Sequence, residues 1–245
     1  MIMEITKTEI YSSKLTGDYT LVVAADLHNR KYSEVIKAIE KINPDYILIP
    51  GDLTHNLDKD DSPETCKNGL SFLCAAAGIA KTYYSVGNHE RRISKECREL
   101  IKNTGAILLD DETAVDGEIT FGGLSTGLFV NRYIKTPPPD LSYLERFSKE
   151  EGFKLLLCHH PEYYPEHIRE TDIDLTIAGH AHGGQWRIFG QGIYAPGQGL
   201  FPKYTWGLYD GRLYVSRGLT NTAFPVPRLF NRTELAIIYL KKKDA

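Results

Sequence analysis

The sequence predicts an α/β layered fold, and three observations predict it. Apolar runs of four to seven residues alternate with amphipathic helical stretches through the first hundred positions. Gly, Pro and Asp-Gly turns punctuate a strand-rich second half. The 245 residues carry 42% hydrophobic and 25% charged side chains, the balance of a soluble chain with a sizeable core.

The elements follow in order. Residues 3–12 alternate polar and apolar, a half-buried strand, with a turn at Thr16-Gly17-Asp18. Tyr19 to Ala25 is an apolar strand ending in Asp26-Leu27-His28. Ser33 to Ile42 places Val35, Ile36, Ile39 and Ile42 at helical spacing, with Ser33 as the cap and Pro44 as the stop. Tyr46 to Pro50 is a second buried strand, ending in Gly51-Asp52. A helix over Ser62 to Ala77 is closed by Gly78, and a strand over Lys81 to Val86 ends in Gly87-Asn88-His89-Glu90. Ile93 to Asn103 is helical up to Gly105. Ala106 to Leu128 reads as strands and turns, and Pro137-Pro138-Pro139 as a stiff connector into a helix over Leu141 to Lys149. Lys154 to Cys158 is a strand ending in His159-His160-Pro161, and Leu175 to Ala178 one ending in Gly179-His180-Ala181-His182. A hairpin turns at Asp210-Gly211, and Arg232 to Leu240 is the last strand. With no repeat and no linker, one domain over residues 1–245 is expected.

Composition excludes several functions. A net charge of −3 gives no electrostatic footprint for nucleic acid, and the basic run Lys241-Lys242-Lys243 reads as a solvated tail. The opening MIMEITKTEI lacks the basic segment and apolar core of a signal peptide, and no stretch nears the roughly 20 apolar residues of a membrane span. A cytoplasmic protein without stable membrane insertion is therefore expected. Cys66, Cys74, Cys97 and Cys158 form no CxxC pair and read as free thiols, Cys158 as a buried small hydrophobe.

The functional signal is that five apolar strands each end in a polar cluster. Sites in α/β sheets lie at the carboxyl ends of strands, so these clusters converge if the strands share a sheet. Asp, His and Asn together suit Mn, Fe, Co, Ni or Zn, whereas calcium and magnesium prefer all-oxygen cages. Six or seven such ligands exceed one ion and suit two ions sharing a carboxylate, roughly 3.5–4 Å apart. Two divalent cations against Asp26 and Asp52 leave a positive site that favours a phosphate ester. Such ions lower the pKa of bound water toward roughly 7, which supplies a hydroxide at neutral pH. A histidine off the metals could protonate the leaving group.

The ordered blocks Asp26-x-His28, Gly51-Asp52, Gly87-Asn88-His89-Glu90, His159-x-Pro161 and Gly179-His180-x-His182 resemble those of the calcineurin-like metallophosphoesterases. Gly183-Gly184-Gln185 and the stretch Tyr214 to Leu219 resemble the bacterial YkuE/YaeI-like phosphodiesterase subgroup, which includes enzymes that cleave the pyrophosphate of UDP-diacylglucosamine. The resemblance implies a four-layer α-β-β-α sandwich of two mixed β-sheets flanked by helices. It implies Asp26, His28 and His182 on the first metal, Asn88, His159 and His180 on the second, and Asp52 bridging. It implies His89 as general acid, Glu90 as a supporting loop residue and His160 as a flanking one. The expected activity is hydrolysis of phosphodiester or pyrophosphate bonds with two divalent transition-metal ions, manganese serving in vitro. The expected substrate is a small phosphorylated molecule: a nucleotide, a sugar-nucleotide or a lipid-linked pyrophosphate. The rivals are a phosphomonoesterase or protein phosphatase of the same fold and a non-catalytic metal-binding scaffold. Arg91 and Arg92 read as a solvent-facing helix start; His55 and Arg217 could border the site; His167 reads as a surface residue. Tyr163, Tyr164, Trp186, Phe189, Phe201, Tyr204 and Trp206 read chiefly as packing of the second sheet.

Overall fold

The computed structural model describes residues 3–54, 66–90, 93–126, 138–221 and 226–243. His55, Arg91, Arg92 and the first turn of the helix expected from Ser62 lie outside the described residues.

The first half builds β1 (Glu4–Ser12), β2 (Tyr19–Val23), α1 (Ser33–Ile42), β3 (Tyr46–Pro50), α2 (Lys67–Ala77), β4 (Lys81–Ser85), α3 (Lys95–Lys102) and β5 (Ile107–Leu109). The second half builds β6 (Glu112–Asp116), β7 (Ile119–Leu124), α4 (Leu141–Ser148), β8 (Phe153–Cys158), a helical turn at Tyr164–Ile168 and β9 (Leu175–Ala178). Two short hairpins follow, β10 (Arg187–Ile188) with β11 (Gln191–Gly192), and β12 (Tyr194–Ala195) with β13 (Gly199–Leu200). The chain closes with β14 (Gly207–Tyr209), β15 (Leu213–Val215) and β16 (Glu234–Lys242).

Local chemistry sets the helix ends. Asp140 accepts from the N–H groups of Ser142 and Tyr143 at 2.8 and 3.1 Å, and Ser94 from Cys97 N at 3.1 Å, so each satisfies orphan donors at a helix start. α1 ends at Asn43, held left-handed at φ 50° with its N–H on Ile39 O, and Pro44 prevents continuation. Two details differ from expectation. Tyr32, not Ser33, precedes α1, without a side-chain cap; Ser33 is its first helical residue. Gly78 closes α2 in a right-handed conformation at φ −72°, its N–H returning to Cys74 O.

Two six-stranded mixed sheets form, in the orders β1-β16-β2-β3-β4-β5 and β14-β15-β9-β8-β7-β6. Strands β2 to β5 run parallel, as do β7, β8, β9 and β15. Period-two alternation sorts their side chains into layers. Leu21 and Val23 of β2 meet Leu155 and Leu157 of β8 between the sheets, where Tyr83 stacks on Phe121 at 4.0 Å. Val22, Ile47 and Tyr84 face the other way, onto Ile39, Phe72 and Ile101 of the first three helices. Leu156 and Cys158 face Tyr143, Leu144 and Phe147 of α4. The result is the four-layer α-β-β-α sandwich. Glu234, fully buried at the start of β16, ties the sheets together by accepting from Thr6 Oγ1 at 2.6 Å and Tyr214 OH at 3.1 Å. No helix among the described residues is long and apolar enough to cross a membrane.

Candidate metal centre

Because β2, β3 and β4 are parallel neighbours in one sheet, and β8 and β9 in the other, their carboxyl ends open at one end of the sandwich. The five polar blocks come together there. Asp26 Oδ1 lies 3.8 Å from His28 Nε2 and 3.7 Å from His182 Nε2. Asp52 Oδ2 lies 3.7 Å from His28 Nε2, 3.9 Å from His89 Nε2 and 3.1 Å from His159 Nε2. Asn88 Oδ1 is 3.2 Å from His159 Nε2. Three groups within this set could hold a divalent ion: Asp26, His28 and His182; His28, Asp52 and His89; Asp52, His159 and His180. A fourth adjoins them, made by His160, Glu162 and His180, with His160 Nδ1 hydrogen-bonded to Glu162 Oε1 at 3.0 Å.

The donor set fits divalent ions. Asp26 Oδ2 and His180 Nε2 are buried without a hydrogen-bond partner among the described residues, the nearest carboxylate oxygen to the latter being Glu162 Oε1 at 4.0 Å. Orphaned buried acceptors of this kind are costly unless a cation satisfies them. Burial opposes ionisation of both carboxyls, but His182 and His28 around Asp26, and His159 and His89 around Asp52, outweigh it and hold both well below the usual carboxylate range. Burial pushes His180 well down and His182 down to about 3, so both stay neutral and able to ligate. Burial also works against charge on His159, yet Asp52 beside it prevails and pushes it up to about 10; its Nδ1 donates to Pro50 O at 2.8 Å.

The backbone is bent to make this constellation. Asp26, His28, Asp52, His180 and His182 all sit at positive φ, between 45° and 65°. Left-handed side-chain-bearing residues cost about 1–2 kcal/mol each and concentrate at functional sites. The approach is tight enough to require glycine at 87, where an added Cβ would stand 2.2 Å from Asp52 Oδ1. Glu90, fully buried, pins the loops after β3 and β4 by accepting from Asp52 N at 2.9 Å, Thr54 N at 2.7 Å and Gly87 N at 2.8 Å. Burial first, then the Asp52 charge, pushes its carboxyl up to about 7.

The surroundings correct and extend the sequence reading. Gly218 packs on Asp26, where an added Cβ would stand 2.7 Å from Oδ2, and the side chain of Arg217 beside it turns to other partners: its Nη2 donates to Glu4 Oε2 at 2.9 Å, and its guanidinium lies 4.5 Å from the Trp206 ring. His160 flanks the cluster, its ring 4.2 Å from that of His180, while His167 lies 3.8 Å from Glu166 at the margin. Cys158 is buried, and desolvation pushes its thiol far up, consistent with a packing role. Sequence reasoning missed Arg228, whose Nη2 lies 3.0 Å from His182 Nδ1, and Glu162. Arg228 neighbours no motif, so only folding reveals it; Glu162 directly follows the His159-x-Pro161 block and was the more findable. Tyr163, Tyr164 and Tyr204 pack as expected, but Trp186, Phe189, Phe201 and Trp206 are exposed. Phe189 and Phe201 lie on the two short hairpins, which pair outside the second sheet; Trp186 comes just before the first of them and Trp206 just before β14.

Comparison with known proteins places these groups in context. A family model described as calcineurin-like phosphoesterase matches residues 19–184. A metallophosphoesterase of Campylobacter jejuni is 30% identical over 98% of this chain, and the chain spans 64% of that relative's length. The phosphodiesterase YaeI of Escherichia coli is 29% identical over 69% of this chain and 63% of its own. The Bacillus subtilis metallophosphoesterase YkuE is 27% identical over 99% of this chain and 87% of its own.

Proposed function

This chain belongs to the calcineurin-like phosphoesterase family, and from that premise we propose that it is a two-metal hydrolase of phosphodiester or pyrophosphate bonds. The observation that supports this most directly is the position of Asp52, whose one carboxylate oxygen lies within 3.9 Å of three histidine nitrogens and belongs to two of the candidate ion groups. In this reading Asp26, His28 and His182 hold one ion, Asn88, His159 and His180 the other, and Asp52 both. Bound there, the ions would activate water and neutralise phosphoryl charge. With two divalent ions held against Asp26 and Asp52, the centre would be net positive and would favour an anionic ester.

In this reading His89 moves the proton. Its side chain is 22% exposed, the most open of the histidines around Asp52, so a leaving oxygen can reach it. Its backbone N–H donates to Asp52 Oδ1 at 3.0 Å, which fixes the residue against the carboxylate. Burial lowers the imidazole pKa, so a proton held there is readily given to an alkoxide. Glu90 holds the Asp52 and Gly87 backbones in register and acts through position.

Hydrolysis of bis(p-nitrophenyl) phosphate with added Mn²⁺ tests the reading. A chelator-sensitive rate above buffer, exceeding that on the corresponding monoester, is the expected result. A chelator-insensitive or absent rate would mean a scaffold, and a monoester preference a phosphatase. His89→Asn should lower turnover of esters with poor leaving groups by roughly 10²–10⁴-fold and affect p-nitrophenolate release much less.

A further inference from the structure

The last histidine loop runs directly into two hairpins that the metal centre does not use. Phe189 sits at the tip between β10 and β11, and Phe201 follows β13. Phe230, shortly before β16, lies beside the first tip. Ile188, Phe189, Trp206 and Phe230 line one open groove of about 570 Å³. Phe189 is fully exposed, Phe230 88% and Phe201 68%. All three are held at positive φ, at 49°, 53° and 51°.

Exposure and strain together are informative. A bulky aromatic in the left-handed region is a conformational outlier. Asparagine would hold the same backbone with less strain and suit water better. Three phenylalanines therefore bury little of their surface and present large apolar area outward. Single exposed apolar residues are ordinary, but a cluster on projecting turns marks a contact surface.

Charge identifies the partner. From Gly183 to Leu208 and from Val226 to Arg232 the chain carries Arg187, Lys203, Arg228 and Arg232 and no carboxylate, in a protein of net charge −3. Lys203 and Arg232 are exposed. Glu4, the carboxylate beside the groove-lining Arg217, is paired with it at 2.9 Å, so among the described residues the exposed unpaired charge of these segments is Lys203 and Arg232. Aromatic tips with such cations are suited to the boundary between acyl chains and anionic headgroups. The face also adjoins the candidate metal cluster, since Asn231 Nδ2 donates to His182 O at 2.7 Å. We infer that this face docks on an anionic membrane surface, with Phe189, Phe201 and Phe230 entering the acyl boundary and Lys203 and Arg232 meeting the headgroups.

Co-sedimentation with vesicles tests this, using phosphatidylglycerol mixed into phosphatidylcholine against phosphatidylcholine alone. The wild-type chain should bind the mixed vesicles and lose that binding at high salt. Phe189→Asn combined with Phe230→Asn should weaken binding at least tenfold while leaving the melting temperature unchanged or raised. Failure of the wild type to bind anionic vesicles would overturn the inference, as would undiminished binding of the variant. A clear fall in melting temperature would show that the aromatics hold the fold, and so would also overturn it. A wild-type dimer that the variant converts to monomer, without vesicle binding, would assign the face to a second copy of the chain instead.

Discussion

Replacing Gly87 by alanine adds one methyl group at the most crowded point of the candidate centre. The new Cβ would stand 2.2 Å from Asp52 Oδ1, 2.5 Å from Asp52 N and 3.0 Å from Asp52 Cγ. Ordinary contact is about 3.4 Å or more, so the carboxylate or the loop that carries it must retreat by about 1 Å. Retreat is resisted, because His89 N and the histidine nitrogens hold the carboxylate and Glu90 holds the Asp52 N–H at 2.9 Å. Crowding of this kind costs about 1–3 kcal/mol of stability. A misplacement of about 1 Å at a reacting centre costs on the order of 10²-fold in rate. Steady-state hydrolysis of bis(p-nitrophenyl) phosphate at saturating Mn²⁺, with thermal denaturation alongside, reads both effects. Gly17→Ala is the control, since its added Cβ would find only Tyr19 OH, at 3.9 Å. If Gly87→Ala kept turnover within a few-fold of wild type, the placement of Asp52 between two ions would be refuted.

Other consequences follow from the same geometry. Glu90→Gln turns an amide NH₂ toward one of the two pairs of donors that its carboxylate now accepts, and should cost about 2–4 kcal/mol in chemical denaturation; an unchanged midpoint would show that the loops do not depend on it. In the metal-free protein His159, pushed up to about 10, carries an extra proton at pH 7.5, and a ligand role requires losing it. Mn²⁺ titrations should therefore show binding enthalpies that vary with the ionisation enthalpy of the buffer; identical enthalpies in phosphate-free buffers of different kinds would argue against His159 as a ligand. Because its folded pKa lies above the unfolded value of 6.5, His159 contributes stability that is complete below about pH 6.5 and is lost as pH rises toward 10; metal-free melts across that window should show the decline. Cys74 is exposed while Cys66, Cys97 and Cys158 are buried, so a thiol reagent should modify Cys74 rapidly and the other three only on unfolding.

Much of the fold was legible because periodicity is local. The runs Tyr19–Val23, Tyr46–Pro50 and Phe153–Cys158 announced buried strands by their apolar residues, and Val35 and Ile39 announced the inner face of α1. Helix starts were less legible at Tyr32, which makes no side-chain capping bond for a residue pattern to reveal. The hairpin aromatics were misread for a physical reason. Sequence records that Phe189 and Phe201 are apolar, but whether an apolar side chain meets a neighbour depends on where the hairpin lands, and these hairpins lie outside the sheets.

The sequence by itself determined which chemical groups end each central strand, because a strand's last residue and the turn after it are adjacent in the chain. It thereby named Asp26, His28, Asp52, Asn88, His89, His159, His180 and His182 and the class of ion they suit. Tertiary structure alone decided which of them share an oxygen, through parallel pairing of β2 with β3 and β3 with β4 and the packing of one sheet on the other. It also decided that β16, last in the chain, lies between β1 and β2, bringing Glu234, Arg217 and Thr6 together and carrying Arg228 to His182. The meeting of Thr6 with Glu234 joins residues 228 positions apart, and no short-range pattern encodes it, since only the summed burial of both sheets fixes where the strand goes.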